Sequence, residues 1–192
     1  MRIMNMKRAM IFLLTIGIIV VGGCVRYPDG HNGNGEAIYQ LEITVEVAGE
    51  INSDDGIYYI VLDADGNPAD GPEDDILFWE DNYYYIKLED GFFDFTQVEE
   101  GSPELDLTNY LYSENELQVT IALSDLGSPS SIDINVITTD SDNNTYDHLD
   151  SYFTINTDLG STGEGVVSEG GSEEGGPDFD IVKVTAEIII LY

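Results

Sequence analysis

The chain has 192 residues and carries 38 Asp and Glu against 6 Lys and Arg, a formal net charge of −32 at pH 7. So one-sided a charge repels nucleic acid phosphates and anionic lipid headgroups, and leaves cations, basic proteins and neutral ligands as partners. It is also what a solvated surface in a saline habitat requires, because counterions screen the self-repulsion.

The N-terminus reads as a secretory signal over residues 1–23. Arg2, Lys7 and Arg8 form a basic start, and Ala9 to Val21 form an apolar run too short for a comfortable membrane span. Val21-Gly22-Gly23-Cys24 follows, and it resembles the lipobox of bacterial lipoproteins. Small residues before the cut let the backbone enter a narrow peptidase site, and the Cys24 thiol is the nucleophile that takes the diacylglyceryl group. The resemblance implies lipidation at Cys24 and an extracytoplasmic protein, lipid-anchored to the cell membrane. The other reading of this segment is an uncleaved anchor helix with an incidental cysteine. After cleavage, Arg26, Lys87 and Lys183 stand against all 38 acids, a formal charge of −35. Cys24 is the single cysteine, so the body has no disulfide and holds by packing, with bound ions as a further means of cross-linking.

Residues 24–36 combine Pro, Gly, Asn and Asp without apolar period, as a flexible tether does. From residue 37 to 192 one domain is expected, of ordinary size. Tyr39, Leu41, Ile43, Val45 and Val47 alternate with polar residues, the period of a half-buried strand. Further strands are predicted over Ile57 to Leu62, Ile76 to Trp79, Tyr83 to Leu88, Phe92 to Phe95, Glu116 to Leu123, Ser131 to Thr139 and Tyr152 to Asn156. Leu117, Val119, Ile121 and Leu123 share a face, and Ile132, Ile134 and Val136 oppose Asp133 and Asn135, so each strand is expected to have one packed and one wet side. Ser124 to Gly127 is at most a single helical turn, and no stretch sustains a helical period. Many short strands divided by turn residues predict an all-β fold, a two-sheet antiparallel β-sandwich of immunoglobulin-like or jelly-roll-like kind.

Residues 158–178 are dominated by Gly, Ser and Glu and are predicted to be a disordered insertion. The chain then closes on a strand with Val182, Val184, Ala186, Ile188, Ile190 and Tyr192 on one face. An insertion of that length ahead of a closing strand raises a functional question.

Two segments share the pattern D-x-D-x-N-x-x-D: Asp63, Asp65, Asn67 and Asp70, then Asp140, Asp142, Asn144 and Asp147. Oxygen donors at alternate positions of a tight loop converge on one hard cation, as in calcium loops, and Asp74 or Asp75 is placed to complete the first. The first loop has no Glu at the twelfth position and carries Pro68 where helix-flanked calcium loops have Gly, which argues against an EF-hand and leaves a strand-flanked loop. Asp, Asn and Gly are also ordinary turn formers, and a plain turn accounts for the same residues.

IYYIVLDADGNPADGP, WEDNYYYIKLEDG and ELQVTIALSDLGSPSSIDINVITTD followed by YDHLD resemble the β-sandwich family that includes the DOMON domains and the family 9 carbohydrate-binding modules. The resemblance spans Ile57 to Asp150. It implies a sandwich that binds sugar, haem or calcium without catalysing a reaction, with Asp63, Asp65 and Asn67 as calcium ligands.

Sugar binding needs aromatic faces that stack on pyranose rings beside polar groups that take the hydroxyls. Trp79, Tyr83 and Tyr85 supply such a platform, with Glu80, Asp81 and Asn82 alongside; Tyr84, Ile86 and Leu88 are expected on the core face of that strand. Outward tyrosines also occur in strands for packing alone. Haem is disfavoured: His148 is the one histidine of the body, and Met1, Met4, Met6 and Met10 leave with the signal. No nucleophile and base assemble into a catalytic set, and carboxylates this abundant single out no glycosidase. The sequence therefore points to a non-catalytic binding or accessory module, carbohydrate-binding with structural calcium, and alternatively to an assembly protein of the cell envelope that meets another protein and takes no small ligand.

Overall fold

The computed structural model describes residues 38–167 and 175–191. The signal, Cys24, the tether and Tyr192 lie outside the described residues. Two antiparallel sheets pack face to face into the β-sandwich predicted from the strand spacing.

The strands are β1 (Ile38–Val47), β2 (Ile57–Asp63), β3 (Tyr84–Glu89), β4 (Phe92–Gln97), β5 (Asn109–Ser113), β6 (Glu116–Ala122), β7 (Ser131–Thr139), β8 (Thr145–His148), β9 (Phe153–Asn156), β10 (Thr162–Glu164) and β11 (Ile181–Leu191). One sheet has the order β10-β11-β1-β6-β5. The other runs β4-β3-β2-β7, and β8 and β9 divide the far side of β7 between them. β3 and β4 are joined by Asp90 and Gly91, both at positive φ (50° and 78°), the backbone that a two-residue hairpin needs to match strand twist.

The period-2 pattern becomes the core directly. Leu41, Ile43 and Val45 from β1 and Leu117, Val119 and Ile121 from β6 face Tyr58, Ile60 and Leu62 from β2 and Ile132, Ile134 and Val136 from β7. Each such side chain taken from water contributes ~1.5–3 kcal/mol, which is what opposes chain entropy here without a disulfide. Tyr84, Ile86 and Leu88 point to this core as expected, with Ile86 and Leu88 buried and Tyr84 packed at its margin.

Four expectations are corrected. Ile76–Phe78 is a single 3-10 turn instead of a strand, because the Asp75 carboxylate accepts the Leu77 N–H at 2.9 Å and starts a turn there. On β11 the alternation slips at a bulge, where Glu46 and Val47 pair with Lys183 and Ile181, so Ile181 faces the core and Val182 is exposed, while Val184, Ala186 and Ile188 keep the predicted face. The 158–178 insertion is ordered in part: β10 pairs with β11, Val166 bridges to Ser151, and Pro177 accepts the Gly49 N–H at 2.7 Å; residues 168–174 lie outside the described residues. Finally, β7 has no wet side. Every residue of β2 and β7 is buried, because the segment from Ala64 to Tyr83 crosses their outer face. There Ile57, Tyr59, Val61, Tyr83 and Ile137 form a second apolar cluster with Ile76, Trp79, Tyr85 and Val98. The strands β5, β8 and β10 were not foreseen; they are short, and β5 has no buried residue to mark its alternation.

Candidate metal centre and adjoining cleft

The outer cover of β2 and β7 leaves polar side chains under it. Asp63 ends β2 and Asp133 lies opposite it on β7; both carboxylates are buried, at 2 % and 1 % exposure. Past Asp63 the chain curls through successive side-chain-to-backbone bonds. The Asp65 N–H donates to Asp63 Oδ1 at 3.0 Å, and the Asn67 N–H donates to Asp65 Oδ1 at 2.6 Å. Gly66 (φ +80°) permits the tight bend between them. Asn67 Nδ2 then donates to Asp70 Oδ1 at 2.5 Å.

The curl gathers Asp63, Asp65 and Asp70, whose carboxylate oxygens lie within 4.8 Å of one another. Asn67 supports Asp70 from the side. Asp133, held by the Thr154 hydroxyl, adds a fourth negative group to their field. The lysines of the body serve elsewhere: Lys87 pairs with Glu89 at 2.9 Å and Asp94 at 3.2 Å, and Lys183 sits on the other sheet opposite Glu46.

Burial, and then the neighbouring charges of Asp65, Asp133 and Asp70, push the Asp63 carboxyl up to about 6, against the opposing pull of the Asp65 N–H. Burial raises Asp133 as well, with Asp65 and Asp70 adding to it and the Thr154 hydroxyl opposing. A carboxylate in this position needs a proton or a cation to offset its desolvation. Three carboxylate oxygens, two from the alternate positions 63 and 65 and one from Asp70 where the loop returns, with Asn67 alongside, fit a hard oxygen-seeking cation of the calcium type.

The other residues proposed as ligands are placed differently. Asp74 approaches His148 Nε2 at 3.5 Å, and Asp75 caps the 3-10 turn, so neither completes the loop. In the second acidic segment, Asp140 Oδ1 accepts the N–H groups of Asp142 and Asn144, both at 2.8 Å, and Oδ2 accepts Asn144 Nδ2 at 2.7 Å. The Asn144 bonds hold the Asp140 carboxyl below its usual range. Asp147 turns inward on β8 and accepts the Ile181 N–H at 2.8 Å. The segment is thus a hairpin turn from β7 to β8: the same spelling as the first loop, but with Asp140 turned into the loop and Asp147 toward β11, so that its carboxylates are not gathered.

Trp79, Tyr83 and Tyr85 do come together, but around Tyr59. Trp79 meets Tyr59 edge-on at 5.3 Å, Tyr85 meets it at 6.1 Å, and Trp79 and Tyr85 are 5.8 Å apart. The Tyr83 ring is 3 % exposed and its hydroxyl donates to the Gly71 carbonyl at 3.3 Å, so it offers no face to a sugar. Trp79 Nε1 donates to the Glu73 carbonyl at 3.1 Å. These rings fasten the Ala64–Tyr83 cover to the sheet; the sequence alternation of Tyr83 and Tyr85 is real, but it faces a second core.

The accessible aromatic groups lie beside them. A cleft of about 730 Å³ opens between the covering segment and residues 149–152, lined by Asp70, Glu73, Asp74, Glu80, Phe78 and Tyr152 among others. Phe78 is 68 % exposed. The Tyr152 ring lies flat enough on the backbone of Gly71 that a Cβ there would stand 2.7 Å from a ring carbon. Burial, followed by the charges of Asp133, Asp70 and Asp63, raises the Tyr152 hydroxyl, so cleft and acidic loop share one negative field. Asp70 belongs to both. Phe78 and Tyr152 each lie in a segment whose sequence predicts a strand, and no local pattern marks either ring as facing a cleft. Set against known proteins, the chain matches no family model, no curated protein and no solved structure.

Proposed function

We propose that the chain is a lipid-anchored extracytoplasmic protein whose sandwich is a non-catalytic binding module, with a calcium ion held by Asp63, Asp65 and Asp70 and a carbohydrate taken in the adjoining cleft. The observation that carries this reading is the convergence of the three carboxylates within 4.8 Å, with the innermost of them buried. A cation there ties the end of β2 to the covering segment. Through Asp70 it also stiffens one wall of the cleft. The cleft supplies what sugar recognition needs, an exposed ring at Phe78, a half-buried one at Tyr152 and carboxylates that accept hydroxyl protons. Lipid at Cys24 and a tether ending at residue 36 would keep the module within about 40 Å of the membrane.

The Phe78→Ala variant tests the ligand half of this reading. The side chain is mostly solvent-exposed, so the melting temperature is expected to hold within about 2 °C. Retention on an insoluble polysaccharide that holds the wild type is expected to drop at least about tenfold. Equal retention of variant and wild type, or a wild type held by no polysaccharide in a broad panel, would remove carbohydrate as the ligand.

A further inference from the structure

The edges of the two sheets are not equally protected. β4 is overlaid by the following segment, where the Leu105 N–H donates to the Phe95 carbonyl at 2.7 Å and Thr96 Oγ1 donates to the Pro103 carbonyl at 3.3 Å. β8 and β9 are four residues each and β10 is three. Short or covered strands are the usual means of blunting an edge.

β5, five residues long, is one residue longer than β8 or β9 and is left uncovered. It pairs with β6 along Asn109–Ser113 and, among the described residues, with no strand on its other side. All five residues are exposed, and Asn-Tyr-Leu-Tyr-Ser contains no charge, no proline and no glycine. Its apolar surface is continuous with the neighbouring sheet: Phe93 of β4 packs on Tyr110 at 4.7 Å and on Tyr112 at 6.0 Å, and Phe92 beside it is 74 % exposed. The uncharged strand is bracketed by exposed acids, Asp106 before it and Glu114 and Glu116 after it.

We propose that β5 docks an extended segment of another protein, which adds a strand to the sheet and carries basic residues at both ends with apolar or β-branched residues between. Backbone bonds along the free edge supply affinity, the exposed rings of Tyr110 and Tyr112, backed by Phe93, select apolar side chains, and the flanking acids select the basic ends. The same charges reject a second copy. Antiparallel self-pairing centred on Leu111 would set Asp106 of one chain against Glu116 of the other, in a protein of net charge −32. The edge uses no residue of the acidic loop or the cleft, so the inference stands apart from what either of those binds.

The test is hydrogen–deuterium exchange on the full chain in detergent with the capped peptide Arg-Thr-Val-Thr-Val-Thr-Arg as probe, and its Glu-for-Arg counterpart as control. Binding of the basic peptide is expected to slow exchange across residues 109–113, to weaken with salt, and to fall about tenfold in Leu111→Lys, whose exposed position leaves the fold intact. The acidic peptide is expected not to bind. The proposal is overturned if bound basic peptide leaves residues 109–113 unprotected, if no peptide binds, if both peptides bind equally, or if protection of β5 rises with protein concentration alone, which would make a second copy the occupant.

Discussion

Asp63→Asn is expected to stabilise the cation-free protein at neutral pH, by about 2–3 kcal/mol. The folded state keeps the Asp63 proton up to about pH 6, whereas the unfolded chain releases it near 3.8. Between those values the folded protein binds more protons than the unfolded one, so stability falls as pH rises. The deficit is complete above about pH 6, and a difference of about two units corresponds to roughly 3 kcal/mol. Asparagine has the same shape, accepts the Asp65 N–H through its oxygen, and donates its amide protons to the neighbouring carboxylates. Urea denaturation in chelator is expected to show the gain at pH 7.5 and almost none at pH 3.5, where Asp63 is protonated in the folded state and mostly so in the unfolded one. Asp125 and Asp147 are also raised, by burial first, and slope wild type and variant alike, so they cancel in the difference between the two, which reports Asp63 together with its coupling to Asp133. A variant less stable than wild type at pH 7.5 without cation would mean that the ionised carboxylate is held favourably by the protein itself.

Phe179→Ala is expected to cost about 3–5 kcal/mol, the usual range for a buried aromatic side chain. Phe179 is 4 % exposed, stacks on Tyr58 at 5.4 Å and meets Tyr146 at 4.9 Å. It is also the point at which the segment leading into β11 is fastened: the Thr138 hydroxyl donates to the Phe179 carbonyl at 2.7 Å, and the Tyr58 hydroxyl donates to the Asp178 carbonyl at 2.9 Å. Gly56 makes room for the ring, since a Cβ there would stand 2.5 Å from it. Chemical denaturation measures the loss directly. A cost below about 1 kcal/mol would show that the 175–180 segment packs independently of the core.

The strands that build the core were legible because burial imposed a period of two on them: Leu41 to Val47 and Leu117 to Ile121 alternate in sequence and in space. What escaped was decided by tertiary structure. Asp133 and Asn135 read as solvent-facing because nothing local announces that Ala64–Tyr83 folds over β7 and that Asn135 donates to the Pro72 carbonyl at 3.0 Å. Val182 read as core because a one-residue bulge leaves no mark on a hydrophobic pattern. Gly163 and Val166 sit in a Gly-rich run whose composition signals disorder, yet β11 and Ser151 supply partners for it. The candidate site divides in the same way. Asp63, Asp65 and Asp70 were readable from spacing, since a loop of Asx bonds curls on itself. The contrast with Asp140, Asp142 and Asn144 was not, because it depends on which donors, Asn144 above all, reach the first carboxylate.

The central claim is that Asp63, Asp65 and Asp70 form a cation site, and the most direct test is thermal melting of residues 25–192 in calcium and in chelator at matched ionic strength. At tenfold excess over the dissociation constant one specific site adds about 1.4 kcal/mol, a visible upward shift in melting temperature. The shift is expected in wild type, absent in Asp65→Asn, and not reproduced by sodium. Equal melting in calcium and chelator would contradict the account and make the loop an acidic turn.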